Sequence, residues 1–173
     1  MAIPAVIAHG GAGPGPSRQE NLEVAINKAS EILVAGGNAI DAAVQACMIL
    51  EDDPVFNAGT GSVMRTDGSV LTDASIQTSD GKIGFVIAME DTPNPILVAA
   101  DLLNEEINGL TSEGARMWAD NNGHIKRKVI GVPPKGQIGD TNKQITGDTV
   151  GVITRDTTCL LYTSDAADDL VGV

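Results

Sequence analysis

The segment from Ala39 to Leu50 constrains the fold most strongly, because its apolar residues recur at helical spacing and most are small. Ala39, Ala43, Ala46, Cys47 and Leu50 would share one helix face. Such short side chains let a helix approach a neighbouring helix or sheet closely. Aromatic residues make up only 2% of the chain against 42% hydrophobic residues. The sequence therefore predicts an aliphatic core in which helices pack tightly on a sheet.

Signals at the ends of the apolar segments predict further helices. Ser17 and Glu20 have the spacing of a capping box, which predicts a helix start at Ser17, and Asn38 is the predicted N-cap of the next helix. A third helix is predicted from Pro95 to about Asn108, where Gly109 would end it, and a fourth with Thr111 as its cap.

Strand patterns alternate with these helices. Residues Ile3 to Ala8 form a short apolar run, and "VMRTDGSVLTDASI" is typical of a hairpin that turns at Asp67-Gly68. "GKIGFVIAME" and the segment that begins at Thr149 are further predicted strands. The length of 173 residues fits one domain, and the order of the elements favours the α/β class in layers.

The charge of the chain excludes some classes of partner. A formal net charge of -12 argues against nucleic acid and against anionic membrane surfaces, because both are bound through Lys and Arg. Cys47 and Cys159 show no metal-ligand or disulfide-framework spacing. No apolar run resembles a signal peptide or reaches membrane-spanning length, so the expected location is the cytoplasm.

The stretch "QITGDTVGVITRD" raises a question of chemistry. Thr149 opens the strand, and strand propensity alone explains a β-branched residue there. A functional interpretation treats Asp148-Thr149 as a bond that is cut. Cleavage would free the α-amino group of Thr149, whose pKa of roughly 8 lets it act as the base for its own hydroxyl. The long, weakly periodic segment 121–147 would be a flexible linker before that bond.

Four segments, "AVIAHGGAG", "LEDDPVFNAGTGSV", "LTDASI" and "GDTVGVITRD", occur in this order. Together they resemble the plant-type asparaginase and isoaspartyl peptidase family of N-terminal nucleophile hydrolases, over residues 2 to about 156. The resemblance implies an α/β fold of the αββα four-layer sandwich type, incomplete here at the C-terminus. It also implies a homodimer of self-cleaved αβ units that hydrolyse L-asparagine and β-aspartyl dipeptides.

The resemblance assigns roles to particular residues. Thr149 would be the nucleophile of self-cleavage and then of substrate hydrolysis, through a β-aspartyl acyl-enzyme, and Asp148 would end the α chain. The loop His9-Gly10-Gly11 would lie beside the scissile bond, with His9 not required as a base. Asn57 would point toward Thr149.

The resemblance also implies a structural sodium ion, although no cofactor is required for the chemistry. Backbone carbonyls suit a hard cation of this kind. A plain glycine turn is the alternative interpretation of the same loop. The implied carbonyl donors are those of Leu50, Glu51, Asp53, Phe56, Ala58 and Thr60.

The domain boundaries follow from these assignments. Residues 1–148 would be the α-chain part and residues 149–156 the start of the β chain. Residues 157–173, "TTCLLYTSDAADDLVGV", depart from the family pattern and would be a non-native tail on a truncated chain. Strand partners of Thr149 and the arginine that clamps the substrate would then be missing, which predicts poor stability and no appreciable activity.

Three alternatives stay open at this point. A glycosylasparaginase shares the Asp-Thr pair, and a taspase-like threonine endopeptidase shares more of the "NAGTGS" loop. A non-catalytic α/β binding or assembly module would use Thr149 only as a strand residue. His124 lies in the linker and is expected to be solvated.

Overall fold

A computed structural model of the chain describes residues 3–11, 17–65, 67–133, 149–157 and 160–166. Its strands form one six-stranded sheet in the order β1-β5-β6-β2-β3-β4. All neighbouring strands are antiparallel except the β3–β4 pair, which is parallel. The strands are β1 Ala5–His9, β2 Thr72–Thr78, β3 Ile83–Met89, β4 Gly109–Thr111, β5 Thr149–Arg155 and β6 Leu160–Ala166. The helices are α1 Gln19–Val34, α2 Ala39–Asp52, α3 Pro95–Leu102 and α4 Ser112–Asn121, with a 3-10 turn at Gly59–Gly61.

The helices cover one face of the sheet, and the core lies between them and that face. In β5, Val150, Val152 and Thr154 are buried, whereas Thr149 and Ile153 on the other face are only half-buried and Gly151 there is buried under the His9 ring. Side chains alternate between the two faces of a strand, so the buried set faces the helices. Helix α2 packs on β5 and β6, and α3 packs on β2 and β3. The layered α/β class predicted from the sequence is confirmed.

Small residues bring the helices together as predicted. Ala25 and Ala29 of α1 and Ala42, Ala43 and Ala46 of α2 are all completely buried. Helices α1 and α2 pack extensively against each other. With so few aromatic residues, aliphatic side chains supply most of the packing, and the prediction of an aliphatic core is confirmed.

The other face of the sheet, which we call the open face, carries exposed apolar side chains. Ile7, Ile83 and Ile87 are 64%, 38% and 46% exposed there. Among the described residues, the more buried side chains of β1, β2, β3 and β5 lie on the side of the helices, so this face is the one that the four helices leave uncovered. His9 and Thr149 belong to the open face by the same alternation.

Two predicted helix boundaries are wrong. Helix α1 begins at Gln19 rather than Ser17, and no side-chain hydrogen bond caps it; the Ser17 hydroxyl accepts a hydrogen bond of 3.3 Å from the Gln19 N–H instead. Helix α3 ends at Leu102, well before Asn108. Gly109 does not end a helix but begins β4, which pairs with β3. The predicted N-cap at Asn38 is confirmed, since its side chain accepts a hydrogen bond of 2.8 Å from the Asp41 N–H.

The first hairpin is also different from its prediction. The turn at Asp67-Gly68 is present, closed by a hydrogen bond of 2.9 Å from the Arg65 N–H to the Ser69 carbonyl. Val63, however, forms an isolated parallel bridge with Val132 rather than a strand with β2. Strand β2 instead forms its hairpin with β3, where the Asp73 carboxylate accepts a hydrogen bond of 2.5 Å from the Ala88 N–H.

Strand β5 lies inside the sheet, with β1 on one side and β6 on the other. The expected loss of strand partners beside Thr149 is therefore wrong, because residues 160–166 supply one of them. The non-native origin of 157–173 stays a prediction. No helix in the described ranges is long and apolar enough to cross a membrane.

The first part of the predicted linker is anchored to the domain. The Arg127 N–H donates to the Asp91 carbonyl at 2.9 Å, and the Val132 N–H donates to the Ser62 carbonyl at 2.9 Å. Residues 134–147 lie outside the described residues, and their flexibility stays a prediction.

Candidate active site

Thr149 is the first residue of β5 and lies half-buried on the open face. Its hydroxyl donates a hydrogen bond of 3.2 Å to the Val150 carbonyl oxygen. Asp148, the other residue of the predicted cut site, lies outside the described residues. The structure thus places the predicted nucleophile at the N-terminal end of an internal strand, two residues beyond the last β1–β5 pair and opposite Ala166 of β6.

His9 lies close to the predicted nucleophile through the β1–β5 pairing. His9 is paired in register with Gly151, two residues beyond Thr149. The imidazole covers the α-carbon of Gly151, because a Cβ on that glycine would collide with ring atom Nε2. Residues two apart on a strand share a face, so His9, Gly151 and Thr149 lie on the same side of the sheet.

Side chains hold the backbone of the loop that follows His9. One guanidinium nitrogen of Arg18, Nη1, donates a hydrogen bond of 2.8 Å to the Gly10 carbonyl. The Gly11 N–H donates to Nδ1 of His9 at 3.4 Å. Gly11 has a φ of 94°, a conformation that side-chain-bearing residues rarely adopt. The loop thus needs its glycine and takes its orientation from two neighbouring side chains.

Phe56 joins this loop to the loop that contains Asn57. The phenyl ring is 1% exposed and packs against the α-carbon of Gly10, where a Cβ would collide with the ring. The centre of the Arg18 guanidinium lies 5.7 Å from the ring centroid, within the range of a cation–π interaction. Sequence reasoning missed Arg18. The one signal in the sequence was its position: it is the first Lys or Arg of the chain and lies two residues after the end of the glycine- and proline-rich loop.

Asn57 closes the second loop. Its side-chain oxygen accepts a hydrogen bond of 2.9 Å from the Val63 N–H. Val63 is also the residue bridged to Val132, so Asn57 is linked through one residue to the segment that leads toward the predicted cut site. The predicted orientation of Asn57 toward Thr149 stays a prediction.

Backbone carbonyls converge on the two glycines of the 3-10 turn. A Cβ on Gly59, whose φ is 46°, would lie 2.5 Å from the carbonyl oxygens of both Glu51 and Pro93. A Cβ on Gly61 would collide with the Phe56 carbonyl oxygen and lie 2.8 Å from that of Pro54. A loop lined by carbonyl oxygens provides the oxygen ligands that a hard cation prefers.

The other carbonyl oxygens predicted as ligands are also compatible with a bound cation. Among the described residues, no group of three or more His, Cys, Asp or Glu side chains could hold a metal ion, so backbone oxygens would have to supply the ligands. Of the predicted donors, the Asp53 and Ala58 carbonyls also accept hydrogen bonds from Phe56 and Gly61, at 3.2 and 2.9 Å. A carbonyl oxygen has two lone pairs, so such a bond does not exclude a cation.

The side chain of Glu51 binds the first turn of helix α3. Glu51 is completely buried, and its carboxylate accepts a hydrogen bond of 3.0 Å from the Ile96 N–H in the first turn of α3. A carboxylate is favourable at a helix N-terminus. Glu51 therefore ties the loop after α2 to α3, independently of its backbone carbonyl.

His124 is not solvated as expected. Its side chain is 11% exposed, Nε2 lies 3.1 Å from a carboxylate oxygen of Asp101, and its ring centroid lies 5.8 Å from that of Trp118. The Arg116 guanidinium donates to the His124 carbonyl at 3.3 Å. These contacts fix the segment that follows α4 and lie outside the region of Thr149 and His9.

Comparison with known proteins decides the family. A profile of the family described as Asparaginase matches residues 2–129. The chain belongs to the asparaginase family. An isoaspartyl peptidase/L-asparaginase of Macaca fascicularis is 40% identical over 152 residues, which cover 82% of this chain and 47% of the relative. An isoaspartyl peptidase/L-asparaginase of Nostoc sp. is 31% identical over 183 residues, which cover 89% of this chain and 57% of the relative.

A plant-type L-asparaginase of Pyrococcus horikoshii is also similar, with 37% identity over 123 residues, 66% of this chain and 40% of the relative. The chain thus spans about half the length of the first two of these relatives. The range matched to the asparaginase family contains the loop at His9 and the carbonyl-lined loop, but it ends before Thr149. The family resemblance stated from sequence motifs is confirmed.

Proposed function

We propose that this chain is part of a self-cleaving threonine amidohydrolase that acts on L-asparagine and β-aspartyl dipeptides. One observation carries the proposal: Thr149 begins an internal strand and shares the open face with His9 and Gly151, in a chain of the asparaginase family. The relatives named isoaspartyl peptidase/L-asparaginase supply the substrate class.

The chemistry requires one hydroxyl in two successive reactions. In the first, the Thr149 hydroxyl attacks the carbonyl carbon of Asp148, the peptide C–N bond breaks, and water hydrolyses the resulting ester. In the second, the freed α-amino group takes the hydroxyl proton while the oxygen attacks the substrate's side-chain carbonyl. Ammonia or an amino acid leaves, and water releases aspartate from the β-aspartyl ester.

The open face supports the finer fold assignment of a four-layer αββα sandwich. A sheet with apolar residues such as Ile83 and Ile87 exposed on one face is stabilised when a second layer covers that face. The relatives are about twice as long as their matched part, so their additional length could supply the second sheet and its helices. The homodimer of cleaved αβ units belongs to the same proposal.

The carbonyl-lined loop supports a structural sodium ion. The ion would be held by the carbonyls of Leu50, Glu51, Asp53, Phe56, Ala58 and Thr60, and it would fix the loop that carries Phe56 and Asn57. A hard cation there would hold the neutral carbonyl oxygens together by ion–dipole attraction. Neither reaction step needs the ion as a reactant.

Intact-mass spectrometry tests the proposal. We would compare the chain itself with a chimera in which residues 1–156 are joined to the corresponding downstream part of the Macaca fascicularis relative. We expect the chimera to divide between Asp148 and Thr149 and to release ammonia from L-asparagine. Thr149→Ser should retain slow cleavage because the hydroxyl remains.

Thr149→Ala in the same chimera is the control and should stay uncleaved and inactive. A folded chimera that remains intact would contradict the proposal and favour the non-catalytic alternative. In a third outcome, the chimera would cleave itself but hydrolyse neither asparagine nor β-aspartyl dipeptides. That result would support Thr149 as the nucleophile but contradict the proposed substrates, and it would favour the endopeptidase alternative.

A further inference from the structure

We infer that Arg18 is a positioning residue that sets the orientation of the Gly10–Gly11 peptide group, which is bonded to the His9 ring on the same face of the sheet as Thr149. This peptide group is held at both ends. Its carbonyl accepts the Arg18 hydrogen bond of 2.8 Å, and its N–H donates to Nδ1 of His9 at 3.4 Å. The consequence for catalysis rests on the proposed function, but the anchoring itself does not.

The carbonyl end carries the stronger of the two bonds. A hydrogen bond from a charged donor is about twice as strong as a neutral one, and this bond is also the shorter. The bond to His9 is near the long limit for N–H donors and adds less. Losing Arg18 would therefore leave the peptide group with only its weaker anchor.

Arg18 is itself held in place. Its guanidinium lies over the Phe56 ring at 5.7 Å, and that ring is fixed because it is buried against the α-carbon of Gly10. One residue thus contacts the carbonyl of the first loop and the aromatic side chain of the second. Lysine could supply a charge but not the planar donor that fits both contacts.

The effect reaches Thr149 through His9. The nitrogen that accepts from Gly11 belongs to the ring that covers Gly151, and Gly151 lies two residues from Thr149 on the same face. Rotating the peptide group would break the bond to Nδ1 and so remove one constraint on this ring. A small displacement of a group near the reacting atoms lowers the reaction rate without preventing substrate binding.

Arg18→Met, which keeps the apolar contact with Phe56 but removes the donor, tests the inference. Lys28→Met, an exposed change in helix α1, which begins directly after Arg18, is the matched control. The first measurement is hydrogen–deuterium exchange of the peptide that contains Gly10 and Gly11, in the 173-residue chain. We expect exchange there to be about tenfold faster in Arg18→Met and unchanged in Lys28→Met. Unchanged exchange in Arg18→Met would overturn the anchoring.

The second measurement is the self-cleavage rate of the chimera. Arg18→Met should slow cleavage by about tenfold or more, Arg18→Lys should restore part of the rate, and the melting temperatures should stay close to that of Lys28→Met. If a lower melting temperature of Arg18→Met explained its slower self-cleavage, Arg18 would be a structural residue and the inference would be wrong. A parent chimera that never cleaves would reject the proposed function, while the exchange experiment would still decide the anchoring. If Arg18→Met does not fold, Arg18→Lys replaces it in the exchange experiment. The Gly10–Gly11 peptide should then exchange faster than in the parent.

Discussion

The Asp156 carboxylate accepts a hydrogen bond of 2.9 Å from the backbone N–H of Ala39, although the two residues are 117 positions apart. The Thr154 hydroxyl donates to the carbonyl of the same alanine at 2.7 Å. Both backbone groups of the first residue of α2 are therefore bonded to the end of β5. If the chain is cut before Thr149, these bonds keep the strand attached to the helix layer.

Replacing Asp156 should destabilise the fold. Asp156→Ala would leave a buried N–H at the start of α2 without its carboxylate, and we expect a loss of about 1–3 kcal/mol in the free energy of unfolding. Urea denaturation measures the loss. Glu31→Ala, exposed on α1, is the control and should stay within about 0.5 kcal/mol of the parent. Equal effects of the two changes would show that the long-range bond contributes nothing.

A side chain at Gly151 should disturb His9. Gly151→Ala places a methyl group where the imidazole ring lies, so we expect the variant to be less stable by about 1–3 kcal/mol. His9→Ala removes the ring, and the double variant should regain most of the lost stability. A double-mutant cycle of unfolding free energies measures this coupling. Additive effects would mean that the ring does not cover Gly151 in solution.

Gly59 tests how closely the carbonyl-lined loop is packed. Gly59→Ala and Gly36→Ala both place alanine at a positive φ, at 46° and 84°, but only Gly59 is enclosed by carbonyl oxygens. We expect about 1 kcal/mol of destabilisation from the backbone strain at Gly36 and clearly more at Gly59. Melting temperatures of the two variants, compared at equal protein concentration, measure the difference. A smaller loss at Gly59 would be inconsistent with the converging carbonyls.

The turn between β2 and β3 should respond to acid. The hydroxyl of Thr78 donates to the Asp80 carboxylate and lowers the pKa of Asp80 below its ordinary value of 3.8. A pKa that is lower in the folded chain adds stability above the ordinary value and loses it as the pH falls through the folded value. The melting temperature of the parent should therefore exceed that of Asp80→Ala at about pH 7, and the gap should shrink below pH 3.8. In a Thr78→Val background the gap should depend less on pH, because only the backbone N–H groups of Lys82 and Asp80 and the Lys82 charge would still lower the pKa of Asp80.

The open face should make the isolated chain associate. Ile87→Lys places a charge on the exposed apolar strand β3 and should reduce association, as measured by sedimentation velocity over a series of concentrations. Val34→Lys adds the same charge at the exposed end of α1, where Val34 is 86% exposed, and controls for net charge. An equal reduction by both variants would assign the effect to charge alone.

Local signals predicted some of this fold well. The N-cap at Asn38 depends on residues three positions apart, and the small face of α2 depends on one helical repeat, so both can be read from short segments. The end of α3 could not be predicted in this way. Gly109 is a strong stop signal in isolation, but in the structure it begins a strand because β3, more than twenty residues earlier in the chain, provides its partner.

In the candidate site, too, local features could be predicted and long-range contacts could not. The strand that begins at Thr149 could be predicted because its alternating pattern is local, and the structure has it there, whereas the catalytic roles of Thr149, His9 and the glycines stay predictions. Arg18 could not be predicted, because its role depends on Phe56 being folded against Gly10 from a distant segment. The burial of His124 depends similarly on Asp101 and Trp118, which lie in two different helices.

The central position of β5 and β6 has a consequence for the order of folding. Strand β1 is made first, yet its described neighbour in the sheet is β5, and β6 separates β5 from the β2–β3–β4 group. During synthesis on the ribosome, β1 must wait without this neighbour until residues Thr149–Arg155 have emerged. Pairings between such distant segments form slowly. Closure of the sheet would thus be the late step of folding, and the residues around Thr149 would reach their places in that step.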